Sequence, residues 1–254
     1  MEDLAVAYIE PKLFWTAGFF VIVGPSGSGK TTIIRNALRN PRKYIALPPD
    51  KEVTLWVLVG ASHDLQAELE PQLDGTVFTE VNFTHERLGE CDALRSAVES
   101  NDARRAHCIV VDDYMAYSAK DGEFIRQMLH RYKRHEHLCV VVALHNLQRD
   151  RTNTVWEMVD FADRVFLTKS PGNLKNLEAL LQRLRLPLSS SQRLRREFTT
   201  DRALPPEEKR YGVLVYDRRS TYLVSDYKAL SEGTDQKLMF CYGESDATRF
   251  LVVA

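Results

Sequence analysis

The sequence predicts an α/β fold, a mostly parallel sheet flanked by helices. Three observations carry that prediction. Near-continuous apolar runs of strand length alternate with helically spaced segments, the pattern of a sheet covered on both faces. One such run, 18–23, ends at a glycine-rich loop that opens onto a helix-like segment. Another, 108–111, ends in two consecutive aspartates, Asp112 and Asp113.

The elements follow in order. Gly18-Phe19-Phe20-Val21-Ile22-Val23 is apolar along its length, as a strand buried on both faces must be. The segment 31–38 reads as a helix, closed by Asn40-Pro41. Strands are expected over 55–59 and 76–81, with a short helix over 62–69 between them. Leu88, Cys91, Leu94 and Val98 fall at helical spacing, which predicts a helix over 85–100. Three strongly apolar strands follow, 108–111, 138–144 and 164–167, the first two joined by a helix over 123–132.

The tail changes character. Runs 212–216 and 221–224, separated by Asp217-Arg218-Arg219-Ser220, predict a C-terminal β-hairpin at a sheet edge or as a small flap. The chain thus divides into a core over 1–187, a mobile linker over 188–210 rich in Ser, Arg, Glu and Pro, and a hairpin and tail over 211–254 packing on the core.

Composition sets the broad class. The 254 residues are 44% hydrophobic and 27% charged, enough to bury a core without disulfides or structural metals. A net charge of -1 gives no global argument for nucleic acid, so such contact would rest on local basic patches. Cys91, Cys108, Cys139 and Cys241 form no CxxC pair, and two of them lie in apolar runs. Free thiols in a reducing, intracellular compartment are expected. The acidic start Met1-Glu2-Asp3 is not that of a signal peptide, and no run approaches the roughly 20 apolar residues of a transmembrane segment. His135 and His137 flank Glu136 as a polar turn rather than a metal site. Trp15, Trp56 and Trp156 read as core or rim packing.

The loop Gly24-Pro25-Ser26-Gly27-Ser28-Gly29-Lys30-Thr31, continued by Thr32, has the form G-x-x-x-x-G-K-T. Its glycines let successive backbone N–H groups point into one concavity, and the helix beginning near Lys30 adds its positive end. This is the phosphate loop of a P-loop NTPase. Lys30 is expected to bridge the β- and γ-phosphates of ATP, and Thr31 to hold Mg²⁺. The acid that completes the metal site should follow a second apolar strand, as Ile109-Val110-Val111-Asp112-Asp113 does. Asp112 is expected to hold the metal through water, and Asp113 to orient or deprotonate the attacking water.

At least one strand, and two on this reading, precede the Asp112 strand after the phosphate loop. That insertion looks like the RecA-like, additional-strand branch rather than the small-molecule kinases. Members of that branch carry a polar sensor at the end of the next strand, and here 138–144 runs into His145-Asn146, making Asn146 the sensor candidate. The loop also resembles those of ABC ATPases and guanylate kinases. Leu188-Ser189-Ser190-Ser191-Gln192-Arg193 even looks like an ABC signature, but it follows Asp112 where that signature would precede it.

Val110-Val111-Asp112-Asp113-Tyr114-Met115 resembles the acidic motif of FtsK–HerA-type genome-packaging ATPases of double-jelly-roll DNA viruses and of Polinton-like and adintovirus-like elements. The block from Leu144-His145-Asn146-Leu147 to Arg151-Thr152 is similar to that family's strand, sensor and following Arg-Thr. Val165-Phe166-Leu167-Thr168-Lys169-Ser170-Pro171 resembles its next strand, and Leu180-Leu181-Gln182-Arg183 the helix after it.

The resemblance implies an ATP hydrolase that translocates double-stranded DNA and packages a viral genome into a preformed capsid. It further implies self-association into a ring, with a hexamer as the candidate size, and a capsid or capsid-vertex protein as partner. An arginine finger would come from the neighbouring subunit, Arg151 or alternatively Arg149. The expected location is the virus assembly site within the host cell, with the virion as a further one, and not outside as a secreted protein. Candidate DNA contacts are Arg131, Lys133 and Arg134, and Arg193, Arg195 and Arg196. Rival readings are a filamentous-phage-type assembly or extrusion ATPase, a nucleotide or nucleoside kinase with a lid built from arginines between Arg183 and Arg196, and a non-catalytic nucleotide switch.

Overall fold

Apolar strands with no polar face need cover on both sides, and the chain supplies it with helices. The computed structural model describes residues 6–7, 13–59, 64–73, 75–100, 102–114, 119–132, 137–147, 154–168, 173–184, 192, 195, 212–217, 237–243 and 248–252. In chain order the elements begin with β1 (Val6–Ala7), β2 (Phe14–Trp15), β3 (Gly18–Val23), α1 (Lys30–Arg39), α2 (Pro41–Tyr44), β4 (Ile45–Ala46) and β5 (Glu52–Leu58). Next are α3 (Asp64–Leu69), β6 (Glu80–Thr84), α4 (Asp92–Ser100), β7 (Arg105–Tyr114), α5 (Ala119–Tyr132) and β8 (Leu138–Leu144). The remainder are α6 (Thr154–Phe161), β9 (Arg164–Thr168), α7 (Leu174–Leu184), β10 (Gly212–Asp217), β11 (Lys237–Gly243) and β12 (Thr248–Val252).

The main sheet runs β1-β12-β11-β10-β9-β3-β8-β7-β5-β6. From β9 to β6 every neighbouring pair is parallel, while β10, β11, β12 and β1 form an antiparallel wing beyond β9. Strand β3 lies between β8 and β9, with Phe20 opposite Val141 on one side and Arg164 on the other. The strand separating β3 from β7 is β8, which follows β7 in the chain, while the two strands expected between the phosphate loop and the paired aspartates, β5 and β6, lie beyond β7.

Side chains alternate along β3 and divide the core. Phe19, Val21 and Val23 join Leu94, Phe124, Met128, Met158, Leu177 and Leu180 from α4–α7 on one face. Phe20 and Ile22 join Ile34, Leu38, Tyr44, Leu65 and Leu69 from α1–α3 on the other. Both phenylalanines are fully buried, and each such burial is worth roughly 1.5–3 kcal/mol of transfer free energy.

Strands β3 and β8 have the bounds that their apolar runs predict, because both faces of each are buried. Differences arise at edges and breaks. The strand expected over 76–81 is β6, displaced toward the C-terminus; it pairs with β5 from Glu80 onward, opposite Thr54. Phe78, the most apolar residue there, is buried in the loop before it. The helix expected over 85–100 begins only at Asp92, because Gly89 docks on α5. The Gly89 N–H donates to Asp121 Oδ1 at 2.8 Å, and a Cβ at Gly89 would stand 2.7 Å from the Asp121 nitrogen.

The C-terminal hairpin is present with another partner. Both edges of β10 are occupied, by β9 and by β11, so β11 takes the place expected of 221–224, which lies outside the described residues. Of the predicted linker 188–210, only Gln192 and Arg195 are among the described residues. Cys91, Cys108 and Cys139 are buried free thiols, as expected. Among the described residues no helix is long and apolar enough to cross a membrane.

A buried carboxylate holds the start of β3. Asp163, at the turn between α6 and β9, accepts from the Phe19 N–H at 2.9 Å and donates its own N–H to the Phe19 carbonyl at 2.8 Å. Asp163→Ala leaves a buried strand amide unmatched and is expected to cost about 2 kcal/mol. Urea denaturation checks this, and an unchanged midpoint refutes it.

Candidate active site

The site forms where three parallel strands end side by side, the usual place for a site in such sheets. Strand β3 gives way at Val23 to the loop 24–29, and α1 begins at Lys30. The loop turns through left-handed backbone at Gly27 (φ 71°) and Gly29 (φ 95°), conformations that glycine adopts without strain. Gly24 extends the β3 ladder, its N–H donating to the Leu144 carbonyl at 3.0 Å. A Cβ there would fall 1.9 Å from Thr168 Oγ1 and 2.3 Å from Ser28 Oγ.

Lys30 is buried at 6% exposure. Its ammonium donates to the Gly24 carbonyl at 2.7 Å and the Pro25 carbonyl at 3.2 Å, folding back over the loop. Burial lowers its pKa, while the charge of Asp113 and, less strongly, that of Asp112 oppose the shift. Thr31, in the first turn of α1, lies against the end of β7, with its Oγ1 3.1 Å from Asp112 Oδ2 and 3.3 Å from Oδ1. Thr32 is half-buried one residue on, and Ser26 is exposed at the loop tip.

Adjacent residues in a regular strand point to opposite faces, so two consecutive aspartates would not serve one site. A bulge resolves this. Strands β7 and β8 pair Val111 with Val142 and then Tyr114 with Leu144, so β7 carries one residue more than β8 across the interval. Asp113 sits in it with φ 61°, left-handed and unusual for a residue other than glycine. Its charge thereby acts on Lys30 along with that of Asp112. Beside it, His145 Nε2 contacts Asp113 Oδ1, an ion pair when the ring is protonated.

The structure thus brings together Gly24 to Thr31, Asp112 and Asp113. Asn146 is exposed, one residue beyond His145 in the turn that follows β8. Arg149 and Arg151 lie outside the described residues, as do Lys133, Arg134, Arg193 and Arg196. Sequence reasoning missed His145 and Thr168. The available signal was position: both stand at the C-terminal ends of parallel strands flanking β3.

The residues fit a Mg²⁺-nucleotide. Thr31 and Asp112 offer hard oxygen donors, and Mg²⁺ is ordinarily held by one or two such groups together with substrate phosphates. Among the described residues no group of three or more His, Cys, Asp and Glu could hold a metal ion by itself. Gly27 and Gly29 give the loop its left-handed turns, and Gly24 lets it pack closely against Thr168 and Ser28.

Residues 15–192 match the family described as an AAA domain. No curated protein matches the chain. Among solved structures, the genome packaging NTPase B204 from Sulfolobus turreted icosahedral virus 2 is similar with TM-score 0.43 and 14% identity, over 79% of this chain and 92% of that one. EccC (ATPases 2 and 3) of Thermomonospora curvata gives TM-score 0.43 and 13% identity, over 66% of this chain and 35% of that one. EssC (ATPases 2 and 3) from Geobacillus thermodenitrificans gives TM-score 0.43 and 9% identity, over 93% and 39%.

Burial raises the Asp112 carboxyl above the ordinary carboxylate range; the Thr31 hydrogen bond opposes this and Asp113 adds to it. An acid with a raised folded-state pKa loses stability for the fold as pH climbs from the unfolded value through the folded one. Asp112→Asn cannot ionise, so the nucleotide-free variant is expected to melt higher than the parent at neutral pH. Its Mg²⁺ requirement for turnover is expected to rise roughly 10- to 100-fold. Thermal melts and a Mg²⁺ titration check both, and a melting temperature at or below the parental one removes the burial argument.

Proposed function

The chain belongs to the AAA domain family, and from that premise we propose that this P-loop ATPase is a motor that translocates double-stranded DNA and packages a viral genome into a preformed capsid. The single observation supporting hydrolysis, beyond binding, is Asp113: a carboxylate held in left-handed backbone beside Lys30, with His145 against it. A carboxylate so placed balances the charge of Lys30 and can also take a proton from water, which gripping phosphate does not require.

Within this reading the phosphate loop and Lys30 hold the β- and γ-phosphates, and Thr31 with Asp112 holds Mg²⁺. The ion supplies charge neutralisation at the phosphate oxygens when bound. Asp113 takes the proton of the attacking water, His145 steadies the Asp113 carboxylate, and Asn146 reports the γ-phosphate. Arg151, or Arg149, reaches the nucleotide of the neighbouring subunit in a ring, for which a hexamer is the proposed size.

DNA as the load is supported by the likeness of Val110-Val111-Asp112-Asp113-Tyr114-Met115 and the 144–152 block to genome-packaging ATPases. Such a motor grips phosphates and reads little sequence. Its partner is a capsid or capsid-vertex protein, and its place of action the assembly site in the host cell. The core 1–187 carries the chemistry in this reading, 188–210 links, and 211–254 braces the sheet edge. The position of β8 between β3 and β7 weighs against the kinase alternative.

The test is ATP hydrolysis with and without double-stranded DNA, in the parent, Lys30→Ala and Asp113→Asn. DNA is expected to stimulate the parent, and Lys30→Ala to lose about 10²- to 10³-fold in turnover. Asp113→Asn is expected to bind ATP normally and lose about 10²- to 10⁴-fold in turnover. Hydrolysis indifferent to DNA, with phosphoryl transfer to a nucleoside, would sink the motor reading; full activity in Asp113→Asn removes that residue from the mechanism.

A further inference from the structure

A line of buried polar side chains runs from the phosphate loop to the turn after β8, and most of it has no part in the chemistry above. Ser28 Oγ lies 2.8 Å from Thr168 Oγ1 at the end of β9, and that hydroxyl also lies 3.2 Å from the Val23 carbonyl. Asn173, just before α7, donates from Nδ2 to the Val23 carbonyl at 3.1 Å and the Thr168 carbonyl at 2.8 Å. Its Oδ1 accepts from Asn176 Nδ2. Asn176 Oδ1 in turn accepts from the Leu147 N–H at 2.8 Å. Thr168 and Asn173 are 0% exposed, and Ser28 and Asn176 are 6% and 7% exposed.

The polarity of this line is set from its ends. The Leu147 backbone nitrogen can only donate, so Asn176 must present oxygen to it and its amino group to Asn173. Asn173 must then present oxygen to Asn176 and its amino group to Val23 and Thr168, whose carbonyls can only accept. Neither amide can turn over without setting like groups together. A buried network satisfied in this way rigidifies whatever it joins. Here it joins Ser28 of the phosphate loop to Leu147, the second residue after His145 and the first after Asn146.

We propose that Asn173 and Asn176 are positioning residues for ATP hydrolysis, setting the turn after β8 against the phosphate loop so that His145 meets Asp113 and Asn146 meets the γ-phosphate. This rests on the site being an ATP-hydrolysing one. Neither asparagine touches the reacting groups. Their effect is on the rate of the chemical step more than on the grip on nucleotide, which belongs to the loop and Lys30.

Asn176→Asp tests it on the full chain. The substitution keeps the shape and the oxygen facing Leu147, and replaces the amino group facing Asn173 Oδ1 with a second oxygen. ATP turnover is expected to fall about 10- to 100-fold, the scale set by misplacing a reacting group by about 1 Å. The Kd for ATP with Mg²⁺, read by titration of a fluorescent ATP analogue, is expected to stay within about twofold of the parental value. Leu180→Ala, in the same helix and also buried but without a polar link, serves as a control for lost stability and is expected to keep the parental turnover per folded molecule. Should the aspartate variant not fold, Asn176→Ser is read by the same two measurements.

Parental turnover in the Asn176 variant overturns the positioning role, and so does a loss matched by Leu180→Ala or accompanied by an equal loss of affinity. A parent that binds ATP without hydrolysing it overturns the reading of the site itself, a result distinguishable from the others.

Discussion

The ammonium of Lys30 is a charge taken almost wholly out of water, and much of the site consists of the groups that make this tolerable. Burying an unpaired ammonium costs several kcal/mol, so it must be met by acceptors and counter-charges. Gly24 and Pro25 give carbonyls from the end of β3, and Asp113 and Asp112 give charge from the end of β7. These two strands are not neighbours. With β8 between them they stand about 10 Å apart, two strand spacings. The gap above the end of β8 is therefore walled by the phosphate loop on one side and carboxylates on the other, and His145 rises from its floor.

That arrangement carries local costs. Asp113 occupies left-handed backbone, which costs a residue with a side chain roughly 1–3 kcal/mol. Burial raises the Asp112 carboxyl above the ordinary carboxylate range, against the opposing Thr31 hydrogen bond. Both costs fall within a few residues of a strand whose other positions, Ala106 to Val111, are buried and conventionally paired. Along β7 propensity is violated where a group must be aimed and obeyed at the other positions, the distribution expected of a functional site rather than of a poor core. The bulge aims the second aspartate, and the conventional strand before it holds the bulge.

How far the sequence could be read depended on whether each signal was local. Phe19 to Val23 and Leu138 to Leu144 announce themselves because burial on both faces removes every polar position. The phosphate loop is legible because its chemistry is done by consecutive residues. Edge strand β6 has half-exposed positions and no such run, and the late start of α4 depends on Gly89 meeting a helix 32 residues away. Helix α6 and the two-residue strands β2 and β4 left no pattern long enough to count. His145, Thr168, Asn173 and Asn176 were illegible for a related reason: each matters through a partner on another element, the Asn173–Val23 contact spanning 150 residues. The exchange of 221–224 for Lys237–Gly243 as the partner of β10 is the same failure in a strand.

The polar line through Asn173 and Asn176 stands out against the packing beside it. A few residues along α7, Leu177, Leu180 and Leu181 bind the same helix to the sheet through apolar contact alone. Such contact supplies most of the stabilisation but has no direction, and it tolerates small slips with little loss. Hydrogen bonds to backbone groups differ, since they weaken within a few tenths of an ångström or a few tens of degrees. An aliphatic side chain at 176 could fill the space yet leave the Leu147 N–H without this partner, removing a directional tie between that turn and the phosphate loop. Adhesion of α7 therefore comes from its leucines, while the register of the site against it comes from two asparagines.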